Sequence, residues 1–550
     1  MDNSRLFLYA ALAFVSLLIW EQWKSDYGPK PVVVAEQSAV ENVSAQSAAI
    51  DASDLPELAK APGEKSQSGA TSASTGRLIH VETDVIEAKI DTQGGIIKSL
   101  KLKKFPVSVE QQDEFLELLF TEQDQLYQVQ NGLRSSDYPA PTHYSLFTAA
   151  QDDYQLRESD DQLLVPLRWY ENGIEVIKTY EFKRGDYLIG LKQRVINQSD
   201  QPWEGSQYRQ LQRSRPLETS RFLYTYTGAV VYNDEIKYEK VNFDDMEDQN
   251  FQLQSSGGWT AMIQHYFLSA WIAQPEEKNL LYSIANTKRY PATYTIGMRS
   301  ENQRVESGSE TEFSSQLFVG PKLVDKLEQA APGLELTVDY GALTFLSKPL
   351  YWLLSFFNSI VGNWGVAIIL LTLLVKAVFF KLSETSYKSM AKMRKVGPRL
   401  KTLKERYGDD RQKMNQAMMQ LYKEEKVNPM GGCLPVIVQI PVFIALYWAL
   451  LESVELRQAP FFLWIQDLSV MDPYFVLPVI MGISMLIQQK LNPAPLDPVQ
   501  AKVMMVLPLV FSVFFAFFPA GLVLYWVVNN VLSITQQYII TKRIEAGETK

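Results

Sequence analysis

Apolar and polar positions divide the chain into zones of different period. Residues 6–20, LFLYAALAFVSLLIW, form one apolar run that follows Arg5 and ends at Trp20, with Trp23 just beyond. A cleaved signal would show a small-residue site there, but EQWKSD follows, so residues 1–27 read as an uncleaved anchor, with cleavage as the alternative. Residues 28–76 hold no period and are rich in Ala, Ser, Gln and Glu, the composition of a flexible tether. From Arg77 to about Val338 the period becomes two. Alternation in LIHVETDVIEAKIDTQGGIIKSLKL breaks at Gly94-Gly95, and Asn172-Gly173 separates two alternating runs, a hairpin signal. Many short strands over residues 77–338 predict a large β-sandwich.

Beyond it the helical period takes over. Leu343, Leu346, Leu350, Leu353 and Leu354 mark an amphipathic helix lying in a membrane interface over 339–357. Apolar runs then predict membrane spans at 358–380, 431–451, 471–489, 503–518 and 520–540, six with the anchor, before a tail at 542–550. The run 503–518 is short for a straight span, which predicts local thinning of the bilayer or shielding by protein. Between the first two runs, 381–430 shows helical period in two arms that meet near Gly408-Asp409-Asp410.

Charge orients this layout. The segment 381–430 carries thirteen Lys and Arg against six acidic residues, whereas 452–470 has only Arg457. Positive loops stay in the cytoplasm, so the hairpin and C-terminus belong there, the β region belongs on the far side, and the N-terminus is cytoplasmic. A net charge of −9 argues against general nucleic-acid binding, and no specific DNA partner is expected. The one cysteine, Cys433, permits no intramolecular disulfide, and His80, His143 and His265 all lie in the polar region, so no metal site or cofactor is expected.

Candidate chemistry centres on Lys376 in GVAIILLTLLVKAVFF, residues 365–380. A charge inside a bilayer costs roughly 2.5–3.5 kcal/mol on insertion scales. Thr372 lies one turn before it, and Gly365 and Gly362 continue the stripe. Snorkelling is one reading, since Lys381 is about 7.5 Å further on at helical rise. The other is a water-filled cavity shared with Gln439, Gln488, Gln489 and the stripe Asn529, Ser533 and Gln536, although each of these amides can equally serve to hydrogen-bond one helix to another. In the hairpin, Met390, Met393, Met414, Met418 and Met419 beside Arg394 and Lys395 either pack the arms together or form an adaptable partner-binding face.

Four segments, MAKMRKVGPRLKTLKERYGDD, KEEKVNPMGGCLPVIVQIPVFIALYWAL, SVELRQAPFFLWIQDLS and FPAGLVLYWVVNN, closely resemble the YidC/Oxa/Alb insertase family in its Gram-negative form, over about 340–540. The resemblance implies an α-helical polytopic membrane protein whose five-helix insertase core carries a cytoplasmic helical hairpin, within 358–541, plus an all-β periplasmic supersandwich. That β fold is shared with sugar-binding enzymes, but fold alone does not confer their chemistry. The implied activity is non-enzymatic: a membrane protein insertase and folding chaperone of the inner membrane. It would serve nascent membrane proteins alone or with the Sec translocon (SecYEG, SecDF). The translating ribosome and targeting machinery would meet the hairpin and tail, and membrane lipid is a further partner.

The resemblance places Lys376, Thr372, Gln439, Trp526 and Asn529 along a hydrophilic groove, and Phe443, Met481 and Phe514 along an apolar slide. The family usually has arginine at the position of Lys376; lysine keeps the charge without the planar fork. Two other readings compete. A transporter would show broken helices in inverted halves and acidic residues within the spans; no such halves are evident, and the one acidic residue, Asp472, sits at the edge of the 471–489 run. A membrane-anchored carbohydrate enzyme would use His143 or His265 as acid or base, but no constellation surrounds them in sequence.

Overall fold

The computed structural model describes residues 76–546, apart from 123, 217–224, 289, 409, 426–433 and 493–497. The expected anchor, nearly all of the tether, Cys433, the start of the 431–451 run and the last four residues lie outside the described residues. The described residues fall into two compact units, one made of residues up to Val338 together with Glu452–Glu455 and the other of the rest from Asp339 onward.

The first unit is the β-sandwich. Its described residues form sheets of eleven and nine strands. Asn172 and Gly173, both at positive φ, turn strand Gln162–Glu171 into Ile174–Lys183 with Glu171 opposite Ile174, the pairing a two-residue hairpin requires. Period-two alternation in Ile174–Lys183 buries Ile174, Val176, Tyr180 and Phe182, and also Lys178. The Lys178 ammonium donates to the carbonyl of Gly94 at 2.8 Å and reaches those of Asn131 and Gly95 at 3.4 and 3.5 Å. Gly94 and Gly95 take positive φ at the turn that presents their own carbonyls to Lys178. Around them Tyr180 donates to Gly95 O at 2.7 Å, Asn131 donates to Tyr180 at 2.9 Å, and Gln193 donates to Asn131 at 3.1 Å. Burial pushes the Lys178 ammonium down to about 7. His143 is buried with Nδ1 at 2.6 Å from the Tyr208 hydroxyl, and burial, then the charges of Lys178 and Arg134, push it down to about 3. Two short helices, α1 (Phe243–Asp248) and α2 (Val324–Ala330), complete the unit.

The second unit is helical. It contains α3 (Thr344–Val361), α4 (Trp364–Val378), α5 (Phe380–Tyr407), α6 (Arg411–Glu424), α7 (Leu434–Glu452), α8 (Val476–Leu491), α9 (Pro498–Phe515) and α10 (Ala520–Glu545). The boundaries differ from the apolar runs where local backbone chemistry intervenes. The run 358–380 is not one helix. Gly362 closes α3 at φ 66°, and the Asn363 side chain accepts the Val366 N–H at 3.0 Å to start α4. After Phe379 the chain bends by 68° into α5. The run at 471 becomes helical only at Val476, because Asp472 accepts the N–H groups of Tyr474 and Leu477 and the indole N–H of Trp464.

Among the described residues no single helix is long and apolar enough to cross a membrane, and only α4 and α5 together pass that test. The fifteen residues of α4 rise about 22 Å, against about 30 Å of hydrocarbon. A contiguous apolar core nevertheless joins α3, α4, α7, α8, α9 and α10 through residues such as Leu354, Leu371, Leu446, Met481, Phe515 and Tyr525. The α5–α6 hairpin docks separately. Tyr387 and Ala391 pack on Ile540 and Ile544 of α10, and Val396 and Leu400 pack on Leu421 of α6.

Candidate functional site

The polar side chains of the helical unit converge on α10. Lys376 is half-buried near the end of α4, and its ammonium donates to Ser533 Oγ at 2.7 Å. It is therefore drawn across to a neighbouring helix. Ser533 donates onward to the Asn529 carbonyl at 2.7 Å. The Asn529 side-chain oxygen accepts from Gln439 of α7, also at 2.7 Å. One turn further along α10, Gln536 donates to Phe380 O at the α4–α5 bend, at 3.3 Å. Asn529, Ser533 and Gln536, spaced i, i+4 and i+7, thus tie three elements to one face of α10. Among the described residues no carboxylate pairs with Lys376.

Toward the start of α10, aromatic side chains replace polar ones. Trp526 meets Phe443 with ring centroids 4.9 Å apart and Phe515 at 5.2 Å, and Phe515 meets Phe514 at 5.5 Å. The Trp526 indole N–H is buried with no hydrogen-bond partner among the described residues. The arrangement is graded: a cation and amides at the end of α4 where the hairpin begins, and an aromatic layer at the other end.

Not every expected residue joins it. Thr372 is buried and donates to Ile368 O of its own helix at 2.7 Å, so its hydroxyl is spent locally. Met481 is 0% exposed in the helical core and offers no surface. Phe514, by contrast, is 47% exposed on α9 and is linked to Phe443 through Phe515 and Trp526. Phe515 itself had no distinguishing signal within FSVFFAFF; Ser533 was legible as part of the polar stripe but not as the partner of Lys376.

In the hairpin, Met390 packs against the Tyr387–Ile544 cluster, and Met393 and Met418 pack against Val396, Leu400 and Leu421. These three hold the arms in place. Met419 is exposed and Met414 half-buried. Arg394 is exposed, whereas Lys395 donates to Ile544 O at 2.8 Å, where a cation complements the C-terminal end of α10. His143, which a carbohydrate enzyme would use as acid or base, is sealed in the β-sandwich beside Tyr208, and His265 stacks on Tyr266.

The sequence matches two family profiles: that of the 60Kd inner membrane protein over residues 356–547 and that of the YidC periplasmic domain over residues 78–353. It is 52% identical to a membrane protein insertase YidC of Thioalkalivibrio sulfidiphilus over 564 residues, covering 100% of both chains. It is 51% identical to that of Methylococcus capsulatus over 557 residues, again covering 100% of both. Among solved structures, the crystal structure of an active YidC insertase with its first transmembrane domain resolved is similar at 18% identity and a TM-score of 0.39, covering 85% of this chain and 93% of that one.

Proposed function

Because the chain belongs to the YidC family of membrane protein insertases, with a periplasmic β-sandwich domain and a C-terminal helical region, we propose that it inserts nascent integral membrane proteins into the inner membrane through a wet, positively charged groove around Lys376. It does so alone or together with the Sec translocon. The helical unit, with the anchor, spans the membrane six times. The hairpin and both termini are cytoplasmic, and the β-sandwich is periplasmic.

The observation that carries this reading is the bond from Lys376 to Ser533. A lysine that merely snorkelled would extend its ammonium toward headgroups; this one donates to Ser533, whose hydroxyl continues to the backbone carbonyl of Asn529, the residue whose side chain Gln439 also bonds. An ammonium has three donors, and Ser533 occupies one, leaving capacity for the acidic groups of an incoming chain. Water in the groove spares a short polar segment full desolvation while it crosses. The apolar segment that follows gains about 25 cal/mol for each Å² it moves from water into lipid, leaving past Phe443 and the exposed Phe514. That gain drives insertion, so no nucleotide or cofactor is consumed. The exposed Arg394 and Met419 of the hairpin offer the ribosome and targeting machinery a basic, adaptable surface.

Photo-crosslinkers placed at Asn529, Phe443 and Phe514 of the intact protein test this with ribosome-bound nascent chains. The polar translocated segment is expected to crosslink at Asn529, and the apolar segment at Phe443 and Phe514. Crosslinks confined to Phe514, with none at Asn529 for any stalled length, would count against a groove.

A further inference from the structure

We propose that the loop between α7 and α8 is a rigid apolar wedge seated at the headgroup–acyl boundary of the leaflet facing away from the hairpin, with Phe462 and Leu463 entering the lipid. The proposal rests on the membrane-embedded reading of the helical unit. It concerns QAPFFLWIQDLS, for which the insertion route has no use.

Position comes first. Asn363, which caps the start of α4, also donates to the carbonyls of Pro460 and Phe461 at 3.3 and 3.2 Å. At the turn between α9 and α10, Ala520 N–H donates to Val470 O at 2.7 Å and Gly521 N–H to Leu468 O at 2.9 Å. The loop is thus bound to the end of the helical unit opposite the hairpin.

Composition and backbone then point to lipid. Phe462 is 57% exposed and Leu463 80%, and Met471 and Tyr474, further along the same connection, are exposed too. A soluble loop would hide or replace such residues. Leu463 sits at φ 58°, a left-handed conformation that glycine or asparagine adopts with less strain. A bulky apolar residue at that position, pointing outward, serves something outside the chain.

Backbone polar groups at a lipid boundary need partners within the protein, and this loop supplies them. Phe461 N–H donates to Ile465 O at 3.0 Å, Leu468 N–H donates to Ala459 O at 3.1 Å, and Gln466 donates to Leu463 O at 2.8 Å.

Helix length gives the physical need. The fifteen and sixteen residues of α4 and α8 reach about 22–24 Å, short of about 30 Å of hydrocarbon. An apolar loop capping that end extends the lipid-facing surface past the helix termini and lessens the mismatch.

Spin labelling decides it, using the full-length chain in vesicles of phosphatidylethanolamine and phosphatidylglycerol. Nitroxides are attached in a Cys433→Ser background at Leu463→Cys, at Gln466→Cys in the same loop, and at Ile483→Cys, an exposed position on α8. At 463 and 483, oxygen is expected to relax the label strongly and a water-soluble nickel chelate weakly, with the reverse at 466. If 463 behaves like 466 while 483 stays in lipid, the wedge is wrong and the spanning helices survive. A label at 463 shielded from both reagents means that protein covers the loop, which also overturns the proposal. If 463 and 483 both meet the chelate, the membrane-embedded reading fails, and the wedge with it.

Discussion

Replacing Lys376 by alanine is expected to slow insertion of substrates with acidic translocated segments about tenfold, leave substrates with neutral segments near the unaltered rate, and preserve the fold. Two unit charges about 4 Å apart attract by about 4 kcal/mol at an effective dielectric of about 20. An encounter in a wet groove that keeps a third of that loses about 1.4 kcal/mol with the charge, which is the tenfold change. Lys376→Arg keeps the charge and should retain most of the activity, while Lys376→Met, which fills similar volume without it, should behave like alanine. Ser533→Ala frees the ammonium from α10 and should have a smaller effect than either neutral replacement. Proteoliposome assays with a matched pair of substrates, differing only in acidic residues of the translocated tail, measure the ratio. Equal rates for both substrates in Lys376→Ala would remove the cation from the mechanism.

The second large effect is a pH dependence in the β-sandwich. Lys178 has an ordinary value of 10.5 and is pushed down to about 7 by burial. Between these values the unfolded chain still holds a proton that the folded chain has released. Stability therefore rises with pH across this window, by up to about 1.4 kcal/mol per unit for one proton. Below about 7 both states are protonated, and the full penalty of a buried ammonium weighs on the fold. His143 acts in a lower window, between about 3 and its ordinary 6.5: there the unfolded chain gains a proton the folded one does not, so stability falls as pH falls. Amide exchange in strand Ile174–Lys183 of the intact protein, corrected for intrinsic rates, should slow steadily from pH 7 to 10. Lys178→Met should flatten that slope, although it leaves the carbonyls of Gly94 and Asn131 short of a donor and so lowers stability at the alkaline end. A flat profile in the unaltered protein would mean that Lys178 reaches water.

Several of these features are legible in the amino-acid sequence itself. Asn172-Gly173 marks its hairpin because a two-residue type I′ loop needs positive φ at both positions, which this pair adopts readily. The stripe Asn529, Ser533 and Gln536 followed from helical spacing, and all three residues make the contacts that organise the site. Other features depend on competition within the backbone, which apolar runs do not register. The Gly362-Asn363 break lies inside an apolar run, and only the cap geometry separates α3 from α4. Thr372 shares a stripe with Lys376, yet its hydroxyl turns to its own helix, as buried threonines often do. Met481 lies on a helix apolar nearly all round, so sequence could not tell its core face from a lipid face. Lys178 occupied an inward position of an alternating strand, where period alone implies an apolar residue; its partners come from 47 to 84 residues away in sequence.

The accessibility of the groove is the most direct test. Single cysteines at positions 376 and 529, in the Cys433→Ser background, are exposed in sealed vesicles of known orientation to a charged, membrane-impermeant thiol reagent. Both are expected to react when the reagent is on the side of the α5–α6 hairpin and to stay protected when it is on the opposite side. Protection from both sides would describe a dry, sealed bundle and contradict the groove.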